Sequence, residues 1–314
     1  MKFGAGIICN RTTWDDIRTS IETVEAGRWD SLWFPDHFFP PRGGHETEHL
    51  PVFESFTLIA VAAGMTQRIR LGNLVLGNTY RNPALVAKMA TTLDQASKGR
   101  FTLGIGTAWH EREHEAYGWG YPSIKERSDR LQEACELIRK LFTTEGPVDY
   151  DGRYYRLDQA QMSPASYHQP HIPIMVGGNG ERRTLRTVAM HGDIMNLDGW
   201  AGQGVAFEYY RRKVDVLQRH CEAIGRDPAE IKHSLAMPMH LTDDKQSAEG
   251  FIERMGPGSI AGPRGYIIDR IGQFADAGVD EVILGPSSDD GVTFAAGDIS
   301  ILQRVEEEIV AAFD

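Results

Sequence analysis

The chain has 314 residues, of which 41% are hydrophobic and 25% charged, with a net charge of −11. That balance suits one large globular domain spanning the whole chain and excludes a disordered or low-complexity protein. No dense Lys/Arg block offers a basic face, so no nucleic-acid partner is expected, and no apolar stretch approaches the roughly 20 residues of a membrane span.

Cys9, Cys135 and Cys221 lie in unrelated contexts, with neither metal-ligand spacing nor a paired framework, which fits a reducing cytoplasm. Met1-Lys2-Phe3-Gly4 enters a strand-like run without a signal-peptide layout.

Short β-like runs alternate with amphipathic helical patterns, which predicts parallel βα units. A first strand over 2–8 leads to a helix from Thr13, a fitting N-cap, with Ile17, Ile21 and Val24 at helical spacing. Ser31-Leu32-Trp33-Phe34 is the second strand, and residues 40–51, rich in Pro, Gly and His, are expected as a long insertion over the barrel mouth. Next come a helix over 53–65, a strand over 69–76, a helix from Pro83 to about 96 and a strand over 100–106.

Residues 107–124 are expected as an aromatic, His-rich loop, followed by a helix over 125–142. A hairpin over 148–155 should turn at Asp151-Gly152. Strands over 172–176, 193–196, 231–237 and 281–284 alternate with helices over 182–191, 205–224, 266–277 and 299–313. Residues 242–265 read as a polar insertion, within which 255–265, with its glycines, Pro257 and Pro263, is expected to stay out of any ladder, as a lid over a bound ring or else as a solvated linker. Eight strands alternating with eight helices predict an α/β fold, a single (β/α)₈ TIM barrel with insertions at its C-terminal face. An open doubly wound sheet usually has fewer strands.

In such a barrel the strand ends converge on one face, where sites are built. There the second strand stops at Pro35-Asp36-His37, an acid beside the side chain most easily tuned for proton transfer. In isolation the pair reads equally well as a cap and a structural histidine. Polar residues or glycines at five consecutive strand ends favour the functional reading: Asp36 and His37, then 73–78, 107–110, 177–180 and Asn196.

Gly177-Gly178-Asn179-Gly180 fits a phosphate-binding turn opening a helix, although a tight βα turn would use the same residues. It is neither a Walker A loop nor a dinucleotide fingerprint. The glycines of Gly104-Ile105-Gly106-Thr107 fall inside a strand, where missing side chains would let a flat ring lie against the barrel. Trp109 and Trp119 could line an apolar substrate mouth or pack their loop on itself. His110-Glu111-Arg112-Glu113-His114 spells a zinc motif by letters, but it follows a strand and has no evident third ligand, so no metal is expected.

The chain resembles the bacterial luciferase-like superfamily, in particular its branch using the deazaflavin coenzyme F420. The residues that carry the resemblance are Phe34-Pro35-Asp36-His37-Phe38, residues 71–83, Gly104-Ile105-Gly106-Thr107, the helix over 127–138, the hairpin and Pro173-Ile174-Met175-Val176-Gly177-Gly178. The resemblance implies a (β/α)₈ barrel and a homodimer. It places the cofactor ring over a bulge of the third strand, at Asn73, Leu74 and Val75, with a non-prolyl cis peptide between Leu74 and Val75.

It further implies Asp36 and His37 at the ring's reactive side, His37 exchanging the substrate proton and Asp36 orienting it or holding the ring. Thr107 would contact the ring, and the Gly177–Gly180 turn would hold the phosphate. Sugar-phosphate dehydrogenases of this group carry a glutamate where this chain has Trp109, which points to a more apolar small-molecule substrate: a carbonyl, alcohol or activated alkene. FMN-dependent monooxygenation is the alternative chemistry, and a flavin-binding protein without catalysis the non-enzymatic one.

Overall fold

A computed structural model describes residues 1–41, 44–200, 206–288 and 296–313. The strands are β1 (Lys2–Gly6), β2 (Ser31–Phe34), β3 (Arg70–Asn73), β4 (Leu76–Gly77), β5 (Phe101–Gly106), β6 (Val148–Asp151), β7 (Arg156–Ala160), β8 (Ile174–Gly177), β9 (Ile194–Asp198), β10 (Lys232–Leu241), β11 (Ile260–Gly262) and β12 (Glu281–Pro286). Parallel pairings run β1-β2-β3-β5-β8-β9-β10-β12 and return from β12 to β1, closing an eight-stranded barrel. The (β/α)₈ expectation is met.

The helices are α1 (Trp14–Ala26), α2 (Ser55–Met65), α3 (Pro83–Ser97), α4 (Glu111–Ala116), α5 (Ile124–Thr143), α6 (Thr184–His191), α7 (Phe207–Ile224), α8 (Lys245–Met255), α9 (Arg264–Asp276) and α10 (Ile299–Glu308). Thr13 caps α1 in a reciprocal box with Asp16, and Pro83 opens α3, both where the sequence indicates. Helix faces such as Ile17, Ile21 and Val24 bury completely against the outside of the barrel. Burying side chains of this kind typically contributes about 1.5–3 kcal/mol each.

Inside the barrel, Trp33 fills the space that Gly4 and Gly72 leave on the adjoining strands. A Cβ at Gly72 would lie 2.2 Å from the indole and one at Gly4 2.7 Å from its nitrogen. Trp33 Nε1 donates to Ser31 Oγ, which donates to Glu281, and Arg70 pairs with Glu281 at 2.7 Å. This network closes the face opposite the mouth.

Several expectations are corrected. The third strand does not run unbroken over 69–76 but splits in two, at the bulge and the cis Leu74–Val75 peptide that the family resemblance implied and that the structure bears out. β10 continues to Leu241, past Pro238, which takes a regular parallel position opposite Gly285. The hairpin turns through residues 152–155, closed by Gly152 N–H donating to the Tyr155 carbonyl, not at Asp151-Gly152 alone.

Residues 242–265 are not one polar insertion, because α8 and β11 lie within them. β11 joins the sheet beside β10, with Met239 opposite Ile260 and all three of its residues buried. The expectation that 255–265 joins no ladder is therefore overturned: the two prolines flank the strand instead of preventing it. Of the expected insertion over 40–51, residues 42 and 43 lie outside the described residues, as does Val205 of the expected helix over 205–224.

Candidate active site

The site is assembled at the carboxyl ends of β2, β3 and β5. Leu74 N–H donates to the Phe34 carbonyl at 2.9 Å, so the break after β3 sits beside the loop that carries Asp36 and His37. Leu74 and Val75 are half-buried there and pack on the inner core formed with Trp33 and Met175.

The glycines of β5 serve this break. A Cβ at Gly104 would lie 1.9 Å from the Asn73 carbonyl, and Cβ atoms at Gly106 and Gly177 would each meet a Val75 methyl at 2.8 Å. The space expected to receive a flat ring at these glycines is occupied by the chain's own bulge, which correspondingly stands at the mouth. Asn73 is buried, its Nδ2 donating to Ser55 Oγ at 2.7 Å while its Oδ1 has no partner among the described residues.

His37 meets a carboxylate, but not Asp36. Its Nδ1 lies 3.1 Å from Glu113 Oε1, on α4. The same oxygen accepts the N–H groups of Phe38 and Phe39 at 2.7 and 3.1 Å, and Glu113 Oε2 accepts the Tyr80 hydroxyl at 2.6 Å. Burial opposes charge on Glu113, but His37, Tyr80 and the Phe38 N–H outweigh it and hold the carboxyl down at about 2. An acceptor-only carboxylate fixes the proton of neutral His37 on Nδ1, leaving Nε2 for substrate.

Asp36 is 5% exposed and engaged elsewhere. Its two oxygens take a bidentate bond from Arg81, at 2.8 and 2.9 Å, and Oδ2 also accepts Gly77 N–H at 2.9 Å. Arg81 reaches Glu54 as well, and these carboxylates raise its pKa although burial alone would lower it. Asp36 thus anchors the chain just after the bulge.

After β5 the chain turns through Thr107, half-buried, and Ala108, whose φ of +58° is left-handed. The reversal sets Trp109 edge-on to His37, ring centres 5.6 Å apart, and brings His110 to 6.0 Å from His37. Trp109 is 59% exposed. Trp119 instead stacks on Tyr117 and meets Tyr80 and Phe38, so it packs the loop on itself.

His114, fully buried, uses Nδ1 on the His110 carbonyl and Nε2 on Thr79 Oγ1, at 2.8 and 2.7 Å, which leaves no ring nitrogen for a metal. Among the described residues no three His, Cys, Asp or Glu side chains cluster as metal ligands.

Gly177 ends β8, and Gly178 has a φ of +127° that favours glycine. The Asn179 amide clamps the backbone of Asp198, donating to its carbonyl and accepting its N–H at 3.0 and 3.2 Å, and so fixes the turn against the end of β9. A Cβ at Gly180 would press on Thr184 Oγ1 at the first residue of α6.

Across the mouth, the Trp200 indole fills the space that a Gly285 side chain would take. Glu113, Tyr80, Arg81 and Trp200 were not singled out from the sequence as site residues. Tyr80 and Arg81 stand within the segment 71–83 that carries the family resemblance, and that was the available signal.

A model of the luciferase-like monooxygenase family matches residues 3–256. The chain belongs to that family. An F420-dependent glucose-6-phosphate dehydrogenase of Intrasporangium calvum is 30% identical over 315 residues, covering 87% of this chain and 89% of that protein. One from Amycolatopsis mediterranei is 36% identical over 163 residues, and there the chain spans only 46% of that protein's length.

The solved structure of an F420-dependent secondary alcohol dehydrogenase, in complex with an F420-acetone adduct, superposes with a TM-score of 0.78 at 20% identity. It covers 96% of this chain and 98% of that one, which shows the shared fold. No helix among the described residues is long and apolar enough to cross a membrane.

Proposed function

We propose that this chain is an F420-dependent oxidoreductase, working as a homodimer in the cytoplasm, that moves a hydride between the deazaflavin and a small organic carbonyl, alcohol or activated alkene. The observation that carries the reading is the His37–Glu113 pair, 3.1 Å apart, set beside the Leu74–Val75 bulge at one barrel mouth. The residues there suit the cofactor. Leu74 and Val75 present half-buried apolar surface for a flat ring, the buried Asn73 Oδ1 beside them lacks a partner among the described residues, and the turn 177–180 leads into a helix N-terminus for a phosphate.

When bound, F420 supplies the hydride; the protein supplies position and electrostatics. His37 exchanges the substrate proton through Nε2, and the Glu113 carboxylate stabilises the ring when it carries a second proton. Thr107 and the bulge would hold the ring, with Trp109 as an apolar wall. Trp109 at this position, in place of a carboxylate, supports an apolar substrate over a sugar phosphate. Turnover measured by loss of F420 absorbance tests the proton role: His37→Asn should lose roughly 10²–10⁴-fold in kcat with cofactor affinity kept. An unchanged kcat would remove His37 from the chemistry.

A further inference from the structure

His110 stands beside His37 in a contrasting environment. Their ring centres are 6.0 Å apart with planes at 70°, and the Trp109 ring lies 5.0 Å from His110 and 5.6 Å from His37. His110 Nδ1 is buried with no partner among the described residues, so a proton there would have no acceptor among them, and the neutral ring is better served with its proton on Nε2. Burial pushes the His110 pKa down, with His37 and His114 helping and the charges of Glu113 and Glu48 opposing.

The two imidazoles are therefore complementary: His37 with its proton on Nδ1 and Nε2 open, His110 with a donor at Nε2. Unlike neighbouring environments of this kind mark a division of labour between titratable groups. Two hydrogen bonds of about 2.8 Å to one oxygen place their nitrogens no more than about 5.6 Å apart. Rings whose centres are 6.0 Å apart can meet that limit, because the nitrogens lie off-centre.

We infer that His110 is a substrate-binding residue that pairs with His37 on a single substrate oxygen, so that the group reduced or oxidised is a carbon–oxygen bond and not an alkene. The inference rests on the F420 reading above. In the reducing direction the carbonyl carbon takes a hydride, two electrons and a proton, from the reduced deazaflavin. The C=O π pair moves to oxygen, which takes the Nε2 proton of a doubly protonated His37; the ring is left neutral with its remaining proton on Nδ1 against Glu113, and His110 Nε2–H holds that oxygen throughout.

The test begins with ¹⁵N-labelled histidine in the cofactor-free protein at pH 7, signals assigned by His37→Asn and His110→Phe. His110 is expected neutral with its proton on Nε2; a proton on Nδ1, or a charged ring, would overturn the assignment. F420 is then added and cyclohex-2-en-1-one offered, a probe carrying both reducible groups. The allylic alcohol is the expected product, and saturation to cyclohexanone would overturn the inference while leaving the F420 reading intact.

Failure of F420 to bind would instead contradict that reading and with it the chemistry inferred for His110. With cyclohexanone as substrate, His110→Phe should raise KM roughly 3- to 10-fold, the worth of one hydrogen bond. His37→Asn should act on kcat. Equal KM values for wild type and His110→Phe would remove His110 from the substrate.

Discussion

Glu113 and His37 are joined by a 3.1 Å contact across 76 residues of sequence, and this carboxylate, not Asp36, sets the orientation of the imidazole. Glu113→Ala removes the acceptor, leaves the N–H groups of Phe38 and Phe39 unpaired and frees the ring, so kcat should fall toward the level of His37→Asn. Glu113→Gln keeps an accepting oxygen for His37 and the Phe38 and Phe39 N–H groups, and loses the charge and the acceptor of the Tyr80 hydroxyl, so its loss should be smaller. Steady-state kinetics on both variants decide this, and equal losses would mean that charge alone matters.

The same carboxylate carries a pH signature. Held at about 2 in the fold against an ordinary value of 4.5, Glu113 stabilises the folded state above pH 4.5. That contribution is lost as pH falls from 4.5 toward 2. Denaturant midpoints measured across this window should drop more steeply for wild type than for Glu113→Gln.

Asp36 and Arg81 form a buried bidentate pair. Arg81→Met strands Asp36 beside the bulge and should cost about 3–5 kcal/mol in chemical denaturation. Arg81→Lys should recover little of it, because a lysine cannot reproduce the planar fork.

Gly106 leaves room for Val75. Gly106→Ala should destabilise by about 1–3 kcal/mol, since the new methyl meets a side chain at 2.8 Å. Adding Val75→Ala should relieve much of that cost, and a double-mutant cycle with zero coupling would show that the two do not compete for space. Gly104→Ala faces a backbone carbonyl at 1.9 Å, so no side-chain truncation should rescue it.

The barrel was legible because its strands and helices are local patterns: capped helices with apolar faces, and apolar runs that stop at glycines or polar residues. His37 and the turn at 177–180 were legible because they stand at those stops. Glu113 was not, because its role depends on a loop 76 residues away, and in sequence it looked like one carboxylate among several around two histidines. β11 is three residues long and exists only through its pairing with β10. α8 did leave a trace, with Ala248, Phe251, Ile252 and Met255 at helical spacing behind an Asp244 cap, but the surrounding polar residues, Gly and Pro masked it. The extent of β10 was hidden by Pro238, a residue usually kept to strand edges.

The central claim is that this barrel mouth holds a deazaflavin, and comparative titration of the purified protein with F420 and with FMN tests it most directly. Binding of F420 at submicromolar concentration with much weaker binding of FMN is the expected result. Submicromolar FMN binding with negligible F420 binding would contradict it and move the chemistry to flavin-dependent monooxygenation.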